Sequence, residues 1–209
     1  MGAIPTSDMP GHKRLHDRVL SALNRCQEGQ AIDFKESAPW ESLKWRIVVT
    51  ALGMGNLRDG GIIVIGASER EQTWELTGIT AEHLETYEID VVIDTVNKYA
   101  SPHVELDIAL FKYTNGRDFL AIQAKEFTDT PVVCKRNGPK GEGLVQGCVY
   151  VRPPGVARTT RVIDASQMHD LLELAAEKRA RRMLEVSRRI GLVARPSTSE
   201  QFDQELEGL

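Results

Sequence analysis

The sequence predicts an α+β fold, a mixed β-sheet flanked by helices and followed by a long C-terminal helix, on three observations. Ile62-Ile63-Val64-Ile65 is β-branched throughout, the composition of a central strand covered on both faces. Two alternating runs, 104–113 and 117–125, meet at Asn115-Gly116, which is a hairpin signature. Apolar residues recur at helical spacing between the strands. The order is therefore helix, strand, helix, strand, helix, four strands, helix, not the regular alternation of a doubly wound sheet.

Each element has a local reason. Leu15, Val19, Leu20 and Leu23 mark a helix over about 13–25, after a Pro-, Gly- and Ser-rich arm at 1–12. In 30–36, Ile32 and Phe34 alternate with Asp33 and Lys35, as in a short strand with one face buried, and Pro39 closes it. Leu43, Ile47, Val48, Ala51 and Leu52 predict an amphipathic helix over 41–57. Asp59-Gly60-Gly61 turns the chain into the β-branched strand.

Thr80 is placed to cap a helix running from 80 to 100, which Pro102 would stop. Beyond the hairpin, 131–134 and 148–152 read as two strands around a glycine-rich loop, 137–147. After Pro153-Pro154 a long helix is expected over 164–190, with an acidic tail from 193 to 209. One domain over 13–163, a C-terminal helix over 164–192 and two loose ends is the simplest partition.

With 209 residues, 41% hydrophobic and 27% charged, the chain is long enough for a real core, which excludes a collagen, a disulfide mini-scaffold and global disorder. No apolar run approaches the roughly 18 to 20 residues of a spanning helix, and Met1-Gly2-Ala3-Ile4-Pro5 lacks the basic and apolar regions of a leader. The expectation is a cytoplasmic protein with no membrane partner. The 3 cysteines, Cys26, Cys134 and Cys148, stand at wide spacings without a C-x-x-C, so they suggest neither a disulfide framework nor a zinc knuckle.

A net charge of −4 conceals an uneven distribution. Between 69 and 90, Glu69, Glu71, Glu75, Glu82, Glu85, Glu88 and Asp90 face Arg70 alone. The sign then reverses, because Lys135, Arg136, Lys140, Arg152, Arg158 and Arg161 meet only Glu142 between 131 and 161. Lys and Arg near a glycine-rich loop can follow a phosphate backbone without reading bases, so these six are the candidate nucleic-acid contacts. Lys178, Arg179, Arg181, Arg182, Arg188 and Arg189 lie on the last helix, where nucleic acid, a partner helix or pairing with Glu177 and Glu185 all remain open.

Glu28 and Asp33 bracket the turn into the first strand, and Glu69 follows the central strand. If the two strands are neighbours, these carboxylates could converge at one sheet end and hold Mg²⁺ or Mn²⁺; separately, each is an ordinary surface acid. Lys35 lies two positions after Asp33, on the same strand face, where it could steady charge on a scissile phosphate or simply pair with a neighbouring carboxylate. Neither GxxxxGK[ST] nor a GxGxxG opening a helix is present, so no ATP site is expected. The 5 histidines lie in no motif context for nucleophilic catalysis.

The ordered set Glu28-x4-Asp33-Phe34-Lys35-Glu36-Ser37, then Ala51-Leu52 with Asn56, then Gly60-Gly61-Ile62-Ile63-Val64-Ile65-Gly66, then Tyr150-Val151-Arg152 resembles the Schlafen AlbA-like domain. That family shows E-x-x-x-x-E-F-K-E-S, A-x-A-N-x-x-G-G, a G-G-x-x-x-x-G strand and a late Y-x-R. The resemblance covers roughly 15–161 and implies a prokaryotic nucleic-acid-binding protein, with RNA favoured over DNA. It further implies a divalent-metal-dependent endoribonuclease acting on structured RNA such as tRNA, with Glu28, Asp33 and Glu69 as metal-holding catalytic acids and Lys35 at the phosphate. Asp33 stands where the family has Glu, and Glu69 where it has Asp. Schlafen nucleases pair two such lobes around RNA, so a comparable clamp here would require a homodimer. The alternative is a noncatalytic DNA-binding, regulatory or assembly module, with the same acids structural and the C-terminal helix docking a partner protein.

Overall fold

Every residue of the strand Gly61–Ile65 (β2) is buried, because successive side chains enter two different cores. Ile62 and Val64 pack with Leu15, Val19, Ala22 and Leu23 of the helix Lys13–Arg25 (α1). Ile63 and Ile65 pack with Leu43, Ile47, Val48, Ala51 and Leu52 of the helix Trp40–Gly55 (α2). A computed structural model describes residues 13–71 and 73–191; the expected N-terminal arm and acidic tail lie outside them.

Around β2 a four-stranded mixed sheet is built. The strand Ile32–Lys35 (β1) runs parallel to β2, with Asp33 beside Ile63 and Lys35 beside Ile65. On the other side, Asp118–Ala124 (β7) is antiparallel to β2 and forms the expected hairpin with Leu106–Lys112 (β6). The sheet order is β1-β2-β7-β6, and helices cover both faces, as the β-branched run predicted.

Several elements differ from expectation. Residues beyond β2 form an unanticipated hairpin, Ala67–Arg70 (β3) and Thr73–Leu76 (β4), in which β3 shows no two-residue alternation and β4 only that of Trp74 and Leu76. The helix expected over 80–100 is two helices, Ala81–Leu84 (α3) and Ile89–Asn97 (α4). Thr80 does cap α3, accepting from the His83 N–H. The break follows from tertiary bonds. The Thr86 hydroxyl donates to the His83 carbonyl (2.6 Å) and accepts from the Trp40 N–H, while the Tyr87 hydroxyl donates to the Ala38 carbonyl (2.8 Å).

Because α4 ends at Asn97, Ala100–Ser101 (β5) pairs with Val133–Cys134 (β8). Tyr150–Val151 (β9) pairs with a further short strand, Thr160–Arg161 (β10). The strands expected around the glycine-rich loop meet at the isolated bridge Val133–Val149, with the Cys134 N–H donating to the Cys148 carbonyl at 2.8 Å. The last helix runs Ala165–Arg189 (α5), with Asp164 capping the Gln167 N–H. Leu171 and Leu174 anchor it to the body, and no helix among the described residues is long and apolar enough to cross a membrane.

Candidate functional site

At the end of β1 and β2 an open cleft of about 570 Å³ gathers Glu28, Asp33, Lys35 and Glu69. The parallel β1–β2 pair positions Asp33 and Lys35, and a bend at Gly66 leads into β3, which carries Glu69 to the rim. Face-sharing side chains Arg46, Val49 and Thr50 of α2 form another wall. Glu142 and Gly143, from the tip of the glycine-rich loop, and Ala157, Arg158 and Thr159, from the loop between β9 and β10, close the outline.

Asp33 is buried, contrary to the expectation that only the Ile32 and Phe34 face would be covered. Two cations hold it there. Lys35 Nζ bonds to its Oδ2, and Arg152 Nη1 donates to its Oδ1 at 3.2 Å. With its side chain 0% exposed, Arg152 also donates through Nε to the Gln30 carbonyl (2.6 Å) and through Nη2 to the Gly29 (3.0 Å) and Ile32 (3.3 Å) carbonyls. Gln30 answers by donating to the Arg152 carbonyl at 2.6 Å. Arg152 is thus a buried fastener of the entry to β1, and the phosphate contact expected of it is corrected: its donors are committed inside the fold.

Glu28 accepts the Phe34 N–H through Oε1 at 2.7 Å, which ties the turn before β1 to the strand. Burial pushes its carboxyl above the ordinary glutamate range, with the nearby Asp33 charge adding to the shift; the Phe34 N–H, Lys35 and Arg152 pull the other way. Glu69 is exposed, beside Trp74 across the β3–β4 pair, and Trp74 in turn packs on Phe34 with ring centroids 5.3 Å apart.

One oxygen of Glu28 is taken by a backbone N–H, and each oxygen of Asp33 faces a cation. Among the described residues, no three His, Cys, Asp or Glu side chains come close enough together to hold a metal ion. The acids as folded do not fit Mg²⁺ or Mn²⁺, which require several converging oxygens.

The cationic candidates disperse. Arg158 lines the cleft. Arg136 and Lys140 are exposed on the segment between β8 and β9 whose tip walls it, and Lys135 is half-buried near Ser101, Pro102 and Gln146. Arg161 is exposed on β10, opposite Tyr150. Tyr150 shapes the loop, accepting the Val145 N–H at 2.9 Å and donating to the Gly143 carbonyl. Sequence reasoning missed Arg46, Trp74 and Thr159; Arg46 had a signal, since it stands three and four positions before Val49 and Thr50 on one helix face.

Comparison with known proteins adds the family. The family model described as Schlafen, AlbA_2 matches residues 28–153. No curated protein matches the chain. A solved protein of Corynebacterium diphtheriae is similar at 15% identity and a TM-score of 0.48, over 76% of this chain and 28% of that one. The N-terminal domain of an ATP-dependent DNA helicase RecG-related protein from Nitrosomonas europaea is similar at 18% identity and a TM-score of 0.41, over 62% of this chain and 86% of that one.

Proposed function

The chain belongs to the Schlafen AlbA_2 family, and from that membership and the cleft we propose that it is a nucleic-acid-binding protein that engages a polynucleotide backbone, RNA in preference to DNA. One observation carries the reading: Arg46 and Arg158 line the cleft, and one of its walls is the tip of the segment between β8 and β9, which bears Arg136 and Lys140. Cations on a rim and on an adjacent exposed loop suit phosphates spaced along a strand. The acids serve structure in this reading. Asp33 holds the Lys35 and Arg152 cations, and Glu28 braces the β1 turn.

A second reading, a metal-dependent endoribonuclease, is favoured by the gathering of Glu28, Asp33, Lys35 and Glu69 along one cleft. It requires Asp33 to release one of its two cations and the acids to draw closer together than they stand. Labelled tRNA, single-stranded RNA and duplex DNA incubated with the protein, with Mn²⁺ or with EDTA, separate the two when bound and cleaved fractions are read from the same tubes. Binding without cleavage, unchanged by EDTA, is the expected result. Mn²⁺-dependent cleavage lost in Glu28→Ala would replace it with the nuclease reading, and neither binding nor cleavage would overturn both.

A further inference from the structure

An exposed face of α5 carries an apolar stripe, of which Arg179, Met183 and Val186 border a shallow groove with Asp129 and Thr130. Leu172, Ala176, Arg179, Met183, Val186 and Ile190 recur at alternating steps of four and three, the seven-residue pattern of a helix that packs along another helix. Leu172 is 55% exposed, Met183 65% and Ile190 63%. The face that meets the body is a different one: Leu171 and Leu174 are buried, Lys178 pairs with Glu126 at 2.9 Å, and Arg182 pairs with Asp129. The stripe lies roughly 100° around the helix from that face.

We propose that a second copy of this chain docks antiparallel along this stripe. Charge selects both the occupant and the direction. With Glu177 taken by Arg58 and Arg181, and Arg182 by Asp129, the first half of α5 offers Asp170 and Glu173, whereas the second half offers Arg179, Arg188 and Arg189 against Glu185. An antiparallel copy sets each acidic half beside a basic one, and a single two-fold axis satisfies both ends. It also sets Leu172 against the partner's Ile190, Ala176 against the partner's Val186, and the aliphatic stem of Arg179 against the partner's Met183. A parallel copy would bring Arg179 onto itself and like-charged halves together. The docking is independent of the nucleic-acid reading, because none of the stripe lies in the cleft.

Light scattering on the full chain at micromolar concentration, in nucleic-acid-free buffer, tests the proposal. A dimer is expected, and Met183→Glu with Val186→Glu should render it monomeric while leaving the circular-dichroism helix signal in place. A monomeric wild type, or a dimer indifferent to that double change, would overturn it. Orientation is read by thiol cross-linking against wild type. Leu172→Cys and Ile190→Cys should cross-link when the two variants are mixed and not when either is alone; self-cross-linking of each alone would contradict the antiparallel pairing.

Discussion

Removing the Arg152 guanidinium would leave Asp33 buried with Lys35 as its one remaining cation and would strip donors from the Gly29, Gln30 and Ile32 carbonyls. Breaking a buried ion pair from one side costs about 3 to 5 kcal/mol. Arg152→Ala should lower stability to urea by that order, and Arg152→Lys should fail to restore it, since an ammonium cannot spread donors over the same fork. Wild-type stability in Arg152→Ala would refute the fastener role. Glu28 makes a pH-dependent contribution of known sign. Burial raises its carboxyl, so the folded chain holds that proton more tightly than the unfolded one. The resulting stability is fully present below the ordinary glutamate range and is lost as pH rises through the folded value. Glu28→Gln, which keeps an oxygen for the Phe34 N–H, should therefore gain on wild type between acid and neutral pH in urea titrations. A constant gap across that window would contradict it.

At the scale of elements, Asn56 joins the end of α2 to the strands beyond the hairpin. Its Nδ2 donates to the Val132 (2.8 Å) and Tyr150 (2.9 Å) carbonyls, and its Oδ1 accepts the Val132 N–H (2.7 Å). Each backbone group stranded in a buried site costs about 1 to 3 kcal/mol, so Asn56→Ala should destabilise by at least that much, read as a lowered thermal midpoint. A silent Asn56→Ala would mean water replaces the amide. The glycines after it act in the same unit: Gly60 has φ of 63°, and a Cβ there would meet the Ala124 carbonyl at 2.1 Å. The Asn56, Gly60 and Gly61 pattern was legible in the sequence, and so were β2, the β6–β7 hairpin and α5, because each is specified by neighbours in the chain. The α3–α4 break was not, since it depends on Thr86 and Tyr87 reaching Trp40 and Ala38 across the fold. Nor was β3–β4, a short hairpin with exposed acids, where Trp74 and Leu76 are half-buried and supply the apolar alternation of one strand.

For the whole molecule, the sequence indicated which residues come together at the cleft more fully than it indicated how they are held there. Glu28, Asp33, Lys35 and Glu69 were singled out by order and spacing, and the parallel β1–β2 pair does bring them to one cleft. Arg152 read as a surface cation because its partners lie about 120 positions earlier in the chain. Carboxylates still outnumber cations in the cleft lining, with Glu28, Asp33, Glu36, Glu69 and Glu142 against Lys35, Arg46 and Arg158. Attraction for a polynucleotide must therefore come from the rim and the loop. The most direct test is the affinity for labelled tRNA over a series of salt concentrations, for wild type and for Arg136→Ala, Lys140→Ala and Arg158→Ala combined. Each lost phosphate contact flattens the log–log salt slope by about 0.7 to 0.9, so the triple change should flatten it by about 2 to 3 and weaken binding. An unchanged affinity and slope would contradict the cleft and its loop as the nucleic-acid surface.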